Sequence, residues 1–110
     1  MKLSFEKVSD SLVVNVEGEF DLHTADYFKE EVGTKINEGH KKIILNLESI
    51  EFIDSSGLGA ILSKYKDLEK KCGELVVINI TPQVKRIFEV SGLLRVLDVY
   101  SSKQEAVENI

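Results

Sequence analysis

The chain has one cysteine, one proline, no tryptophan and no basic excess in 110 residues. A single thiol, Cys72, excludes an internal disulfide. With no secretory pattern at the N-terminus, the expected home is a reducing cytoplasm. Lys and Arg number 14 against 19 Asp and Glu, for a formal net charge of -5. A nucleic-acid-binding domain carries a basic face, so no nucleic-acid partner is expected. The pairs Lys41–Lys42 and Lys70–Lys71 lie among acids and read as solvated surface. No apolar run approaches the ~20 residues that span a bilayer, so no membrane association is expected.

Catalytic and metal-binding patterns are also missing. His23 and His40 are isolated from other ligand-type residues, and Cys72 has no CxxC partner and is expected to pack on a helix face. No metal and no cofactor are expected. A Ser–His–Asp site would need His23 or His40 as base. The turn Asp54-Ser55-Ser56-Gly57, however, is not the Gly-x-Ser-x-Gly elbow of an α/β-hydrolase. Gly57-x-Gly59 is followed by Leu62 where a dinucleotide fingerprint requires glycine. Asp54 at a strand end resembles the acceptor of a receiver domain, but the first strand ends at Ser9-Asp10 without an acidic pair. The expectation is therefore no catalytic residue and no enzyme.

Hydrophobic residues make up 43% and charged residues 30%, as in a soluble globular protein, and the length fits one domain over residues 1–110. Alternation in residues 3–9 and in Leu12–Glu17, separated by Ser9-Asp10-Ser11, predicts an antiparallel hairpin. Gly18–Asp21 is expected to break the second strand. Ala25, Phe28, Val32 and Ile36 share one face of a helix over residues 24–38, which Gly39 ends. Lys42–Leu47 reads as a third strand, with Ser49–Ile53 leading to the serine turn and a helix over residues 56–71. Leu75–Ile80 is a fourth strand. Thr81 caps and Pro82 opens the next helix, which stops at Gly92. Val96–Tyr100 is a last strand, and Ser102 with Glu105 forms a capping box for a terminal helix.

After the hairpin, alternating strands and helices imply parallel strands with right-handed crossovers, hence a mixed, mostly parallel α/β sheet. Each inner strand has an apolar face and a face bearing an asparagine. On the second strand Leu12, Val14 and Val16 oppose Asn15, and on the third Ile43, Leu45 and Leu47 oppose Asn46. On the fourth, Val76, Ile78 and Ile80 oppose Asn79. A sheet covered on both faces would be apolar throughout, so the helices are expected mainly on one side. The turns after parallel strands gather at one edge. That edge should collect Gly18–Asp21, Asp54–Gly57 and Asn79–Gln83.

The serine turn is the chemical focus. The apolar run to Ile53 stops at Asp54, Ser55, Ser56 and Gly57. Leu58, Ile61, Leu62, Tyr65 and Leu68 then follow at helical spacing. Free amides at a helix start favour negative charge, so two serines there suit a phosphate, bound or covalent. Asp54 or Ser55 as an ordinary N-cap explains the same residues, and the two readings are compatible.

Phe52-Ile-Asp-Ser-Ser-Gly-Leu-Gly-Ala-Ile-Leu62 resembles the signature of STAS domains of the free-standing anti-sigma factor antagonist type. Gly18-Glu-Phe-Asp-Leu-His-Thr-Ala25 is similar to the second motif of that family and Val90-Ser-Gly-Leu93 to its third. Leu22 departs from the polar residue that relatives often carry. The resemblance spans nearly the whole chain and implies a partner switch. The unphosphorylated protein would bind an anti-sigma factor that is also a serine kinase, freeing a sigma factor. Phosphorylation of the second serine, Ser56, would dissolve that complex, and a serine phosphatase would reset it. Asp21, Asp54, Ser55, Ser56 and Gly57 are the implied partner-binding residues, Asp21 contacting a basic group of the kinase. The competing reading is a STAS adaptor without a phosphorylation cycle, such as a stressosome component or a lipid-transport accessory subunit.

Overall fold

A computed structural model describes residues 1–110 as a five-stranded sheet with four helices. Its strands are β1 (Lys2–Val8), β2 (Ser11–Phe20), β3 (Lys42–Ile53), β4 (Glu74–Ile78) and β5 (Val99–Tyr100). Its helices are α1 (Ala25–Asn37), α2 (Ser55–Lys70), α3 (Pro82–Ser91) and α4 (Lys103–Asn109). The strands lie side by side in chain order; β1 and β2 pair antiparallel, and every later pair is parallel. The mixed, mostly parallel sheet expected from the sequence is therefore the one observed.

The main core lies on one face of the sheet. Leu12, Val14 and Val16 of β2, Ile43, Leu45 and Leu47 of β3, and Leu75 and Val77 of β4 pack there against α1, α2 and α3. Phe20 and Phe28 are fully buried, with ring centroids 4.7 Å apart and planes tilted by 52°. Burying one such ring stabilises the fold by ~1.5–3 kcal/mol, so this pair anchors α1 over the end of β2. The other face is covered in part by α4, whose Ala106 joins Val13, Ile44, Val76 and Ile78 in a smaller cluster.

Local chemistry sets the element ends. Thr81 Oγ1 accepts the Val84 N–H at 3.3 Å, Pro82 opens α3, and Gly92 closes it in the left-handed region. Ser102 Oγ accepts the Glu105 N–H at 3.1 Å to start α4.

Four expectations need correction. First, β2 does not break at Gly18 but runs on to Phe20. Gly18, at φ 98°, absorbs one of two register shifts by which β3 carries extra residues past β2. The same shifts let Lys42–Ile53 form one continuous strand. Second, β4 ends at Ile78, and its faces are the reverse of those expected. Asn79 takes φ 57°, a left-handed conformation that asparagine tolerates, and strict alternation stops there. Val76 and Ile78 consequently face α4, while Leu75, Val77 and Ile80 pack in or against the main core. Third, β5 is only Val99–Tyr100, because Leu93–Arg95 continues from α3 as a short 3-10 turn. Fourth, Cys72 is exposed rather than packed on a helix. It occupies the left-handed position after α2, at φ 59°.

Candidate functional site

The pairing of β2 with β3 builds the site. Phe20 pairs with Ile53, and the Asp54 N–H donates to the Phe20 carbonyl at 3.2 Å. The segments that begin at Asp21 and at Asp54 therefore leave the sheet side by side, as the topology predicted.

Each segment is held by its own carboxylate. Asp54 caps α2, its Oδ1 accepting the N–H of Ser56 at 2.9 Å and of Gly57 at 3.2 Å. Asp54 is thus the cap, and it occupies two of the first-turn amides that a phosphate would use, those of Ser56 and Gly57. Asp21 Oδ1 accepts the His23 N–H at 2.9 Å. Thr24 Oγ1 locks the same loop, accepting the Asp21 N–H at 3.0 Å and donating to the Glu19 carbonyl at 2.9 Å. His23 enters this loop through its backbone.

Gly57 supports the turn from beneath. It is buried, and a Cβ added to it would lie 2.6 Å from the Phe20 carbonyl oxygen and 2.9 Å from Ile53 Cγ1. Any side chain there would wedge α2 away from β2. The two serines differ in access. Ser55, at the first helical position, is exposed, and Ser56, whose amide is bonded to Asp54, is half-buried.

The third expected segment does not join this edge. β4 stops opposite Asn46, whereas β3 continues to Ile53, seven residues or roughly 23 Å further at ~3.3 Å per residue. Asn79 instead donates from Nδ2 to Asn46 Oδ1 at 3.3 Å, well before the serine turn. The second half of α3 takes its place. Arg86, Ile87, Val90 and Ser91 face Ile53, Asp54, Ser55 and Leu58 across a largely apolar groove of about 390 Å³. Val90 is 83% exposed, and Leu22 and Phe52, from the loop and strand beside the turn, are 71% and 52% exposed. Arg86 has no carboxylate within salt-bridge reach.

Of the residues gathered at this edge, the sequence singled out Asp21, Asp54 and the serines as candidates; Arg86 and Ile87 were not among them, and Phe52 stood only at the start of the signature segment. Leu22, apolar at a position next to an acidic turn, was the available signal for the exposed surface. Arg86 gave none, since one cation on an amphipathic helix is ordinary.

Four similarities span all or nearly all of the chain. The STAS domain family matches residues 2–106. An anti-sigma F factor antagonist of Paenibacillus polymyxa is 32% identical over 111 residues, covering 100% of this chain and 95% of that protein. The solved structure of the anti-sigma factor antagonist SpoIIAA in its unphosphorylated form is similar at a TM-score of 0.83 and 30% identity, over 97% of this chain and 94% of that one. The phosphorylated form of the Bacillus cell fate determinant SpoIIAA gives 0.75 and 29%, over 97% of each chain.

Proposed function

The chain belongs to the STAS domain family, and from that premise we propose that it is an anti-sigma factor antagonist switched by serine phosphorylation. The unphosphorylated protein binds an anti-sigma factor that is also a serine kinase and so frees a sigma factor. Phosphorylation ends the complex, and a serine phosphatase restores it. The protein itself turns over neither nucleotides nor esters; it is the substrate and the ligand.

The observation that carries this reading is an exposed serine at the lip of an exposed apolar groove. Val90, Leu22 and Phe52 offer the desolvated contacts that dominate protein interfaces, and Ser55 lies at the edge where a partner's active site can reach it. The sequence resemblance puts the phosphoryl group on Ser56. Accessibility favours Ser55 instead, because the half-buried Ser56 is tied through its amide to the capping carboxylate.

A phosphoserine adds about -1.5 to -2 charges at neutral pH. Asp54 already holds the amides of Ser56 and Gly57, so the phosphate adds charge to the surface instead of filling an anion site. Asp21 and Asp54 lie nearby, and repulsion plus desolvation beneath a covering partner weakens binding without refolding the domain. Asp21, with Oδ1 engaged by its own loop, keeps Oδ2 for a basic group on the partner.

Affinity capture from the source cell, followed by ATP-binding assays on the captured protein, separates this reading from a non-switching STAS adaptor. Recovery of an ATP-binding anti-sigma kinase supports the switch. Recovery of only a multi-subunit scaffold or a transporter, with no kinase, sinks it.

A further inference from the structure

The free edge of β1 carries a second interaction surface, and we propose that it pairs with β1 of another copy of this chain to form a two-fold dimer with one continuous sheet. β1 lies at the end of the strand order and pairs only with β2. The two strands are joined by the two-residue turn Ser9-Asp10, with Val8 opposite Ser11. In such a hairpin the residues flanking the loop exchange hydrogen bonds, and the ladder alternates from there. Lys2, Ser4, Glu6 and Val8 therefore direct their N–H and C=O groups to β2, while those of Leu3, Phe5 and Lys7 point outward. None of these outward groups bonds elsewhere in the fold. β1 also lacks the proline and the bulge that commonly blunt an edge. The opposite edge, β5, is only two residues long.

Charge complementarity selects both the occupant and the register. Two copies of β1 can pair antiparallel only with outward-facing residues opposite one another. Setting Leu3 against Leu3 places Lys2 opposite Ser4. Setting Phe5 against Phe5 places Lys2 opposite Val8. Setting Leu3 against Phe5 places Lys2 opposite Glu6 twice and Ser4 opposite Ser4, and of the three it alone juxtaposes opposite charges. Lys2, Ser4 and Glu6 are all exposed in the monomer. Glu6 already meets Lys103 Nζ at 2.8 Å, so in the dimer it stands between two cations.

A polar row across the sheet ends at the same place. Asn79 Nδ2 donates to Asn46 Oδ1 at 3.3 Å, Asn46 Nδ2 to Asn15 Oδ1 at 2.9 Å, and Asn15 Nδ2 to Ser4 Oγ at 3.3 Å. The Ser4 hydroxyl accepts the last of these and donates to no group in the chain. In the selected register it faces the Ser4 hydroxyl of the second copy, which continues the row across both sheets. The groove beside Ser55 contains no residue of β1 and stays open. The dimer and the phosphorylation switch can accordingly fail independently.

Sedimentation equilibrium from micromolar to millimolar concentration tests the dimer. The wild type should approach twice the monomer mass at the upper end. Glu6→Lys should raise the dissociation constant by roughly tenfold, since cross-strand charge pairs become like-charge pairs. The double variant Lys2→Glu, Glu6→Lys should restore association. Ser4→Cys in a Cys72→Ser background tests the register independently. A directly opposed, non-hydrogen-bonded pair has Cα atoms ~4.5 Å apart, within disulfide reach. That variant should oxidise to a covalent dimer, and circular dichroism shows whether each variant is folded. A wild type that stays monomeric throughout overturns the proposal. So does a dimer indifferent to Glu6→Lys, a double variant that fails to re-associate, or a Ser4→Cys protein that does not cross-link.

Discussion

Gly57→Ala and Gly59→Ala, two residues apart in α2, should change stability in opposite directions. In a helix interior, alanine is favoured over glycine by about 0.8–1.0 kcal/mol. At Gly59 nothing lies within 4 Å of the added methyl, so most of that gain should appear. At Gly57 the methyl would lie 2.6 Å from the Phe20 carbonyl oxygen and 3.0 Å from Phe20 Cδ1. Phe20 is fully buried, and its carbonyl accepts the Asp54 N–H, so neither neighbour can retreat freely. Overpacking of this kind costs about 1–3 kcal/mol or more, which exceeds the helical gain. The expected net effects are a loss of ~1–2 kcal/mol for Gly57→Ala and a gain of just under ~1 kcal/mol for Gly59→Ala. Near ~4 °C per kcal/mol for a domain of this size, Tm should fall by ~4–8 °C in the first and rise by ~3–4 °C in the second. Urea unfolding monitored by circular dichroism, with thermal melts alongside, measures both. Two variants shifting in the same direction would refute the argument that Gly57 is required by the approach of α2 to β2.

Asp54→Ala should lower stability by ~1 kcal/mol through loss of the cap, while Asp54→Asn should retain most of it; equal losses in urea unfolding would contradict the capping role. Cys72→Gly should stabilise by roughly 0.5–1 kcal/mol, because the left-handed position after α2 suits glycine, and an unchanged urea midpoint would argue against strain there. Val90→Asp should leave the melting curve within experimental error, as the side chain is 83% exposed, yet weaken binding to the proposed kinase partner at least tenfold by calorimetry. Unaltered affinity would remove the groove from the interface.

The parts legible in the sequence were those governed by local chemistry. The caps at Thr81 and Ser102, the stop at Gly92 and the apolar stripe of α1 follow from residue type and spacing alone. The adjacency of Asp21 and Asp54 was legible too, because parallel strands place successive turns at one edge. What stayed hidden depended on single backbone choices. Asn79, by turning left-handed, ends the alternation of β4 and reverses the expected faces. The register shifts around Gly18 let β3 outrun β4, and that difference in length carries Asn79 away from the site and leaves room for Arg86 and Val90. No periodicity in the sequence encodes a strand's excess length over its neighbour.

The proposed switch is tested most directly by treating the protein with ATP and an anti-sigma kinase recovered by affinity capture, mapping the phosphate by mass spectrometry, and measuring affinity before and after. The account predicts one phosphate on Ser55, loss of kinase binding by roughly a hundredfold or more (several kcal/mol), and an unchanged circular dichroism spectrum. Ser55→Ala should bind the kinase and remain unmodified. A phosphate on Ser56 would contradict the accessibility argument. No phosphate from a binding-competent kinase, or a phosphorylated protein that binds equally well, would contradict the switch.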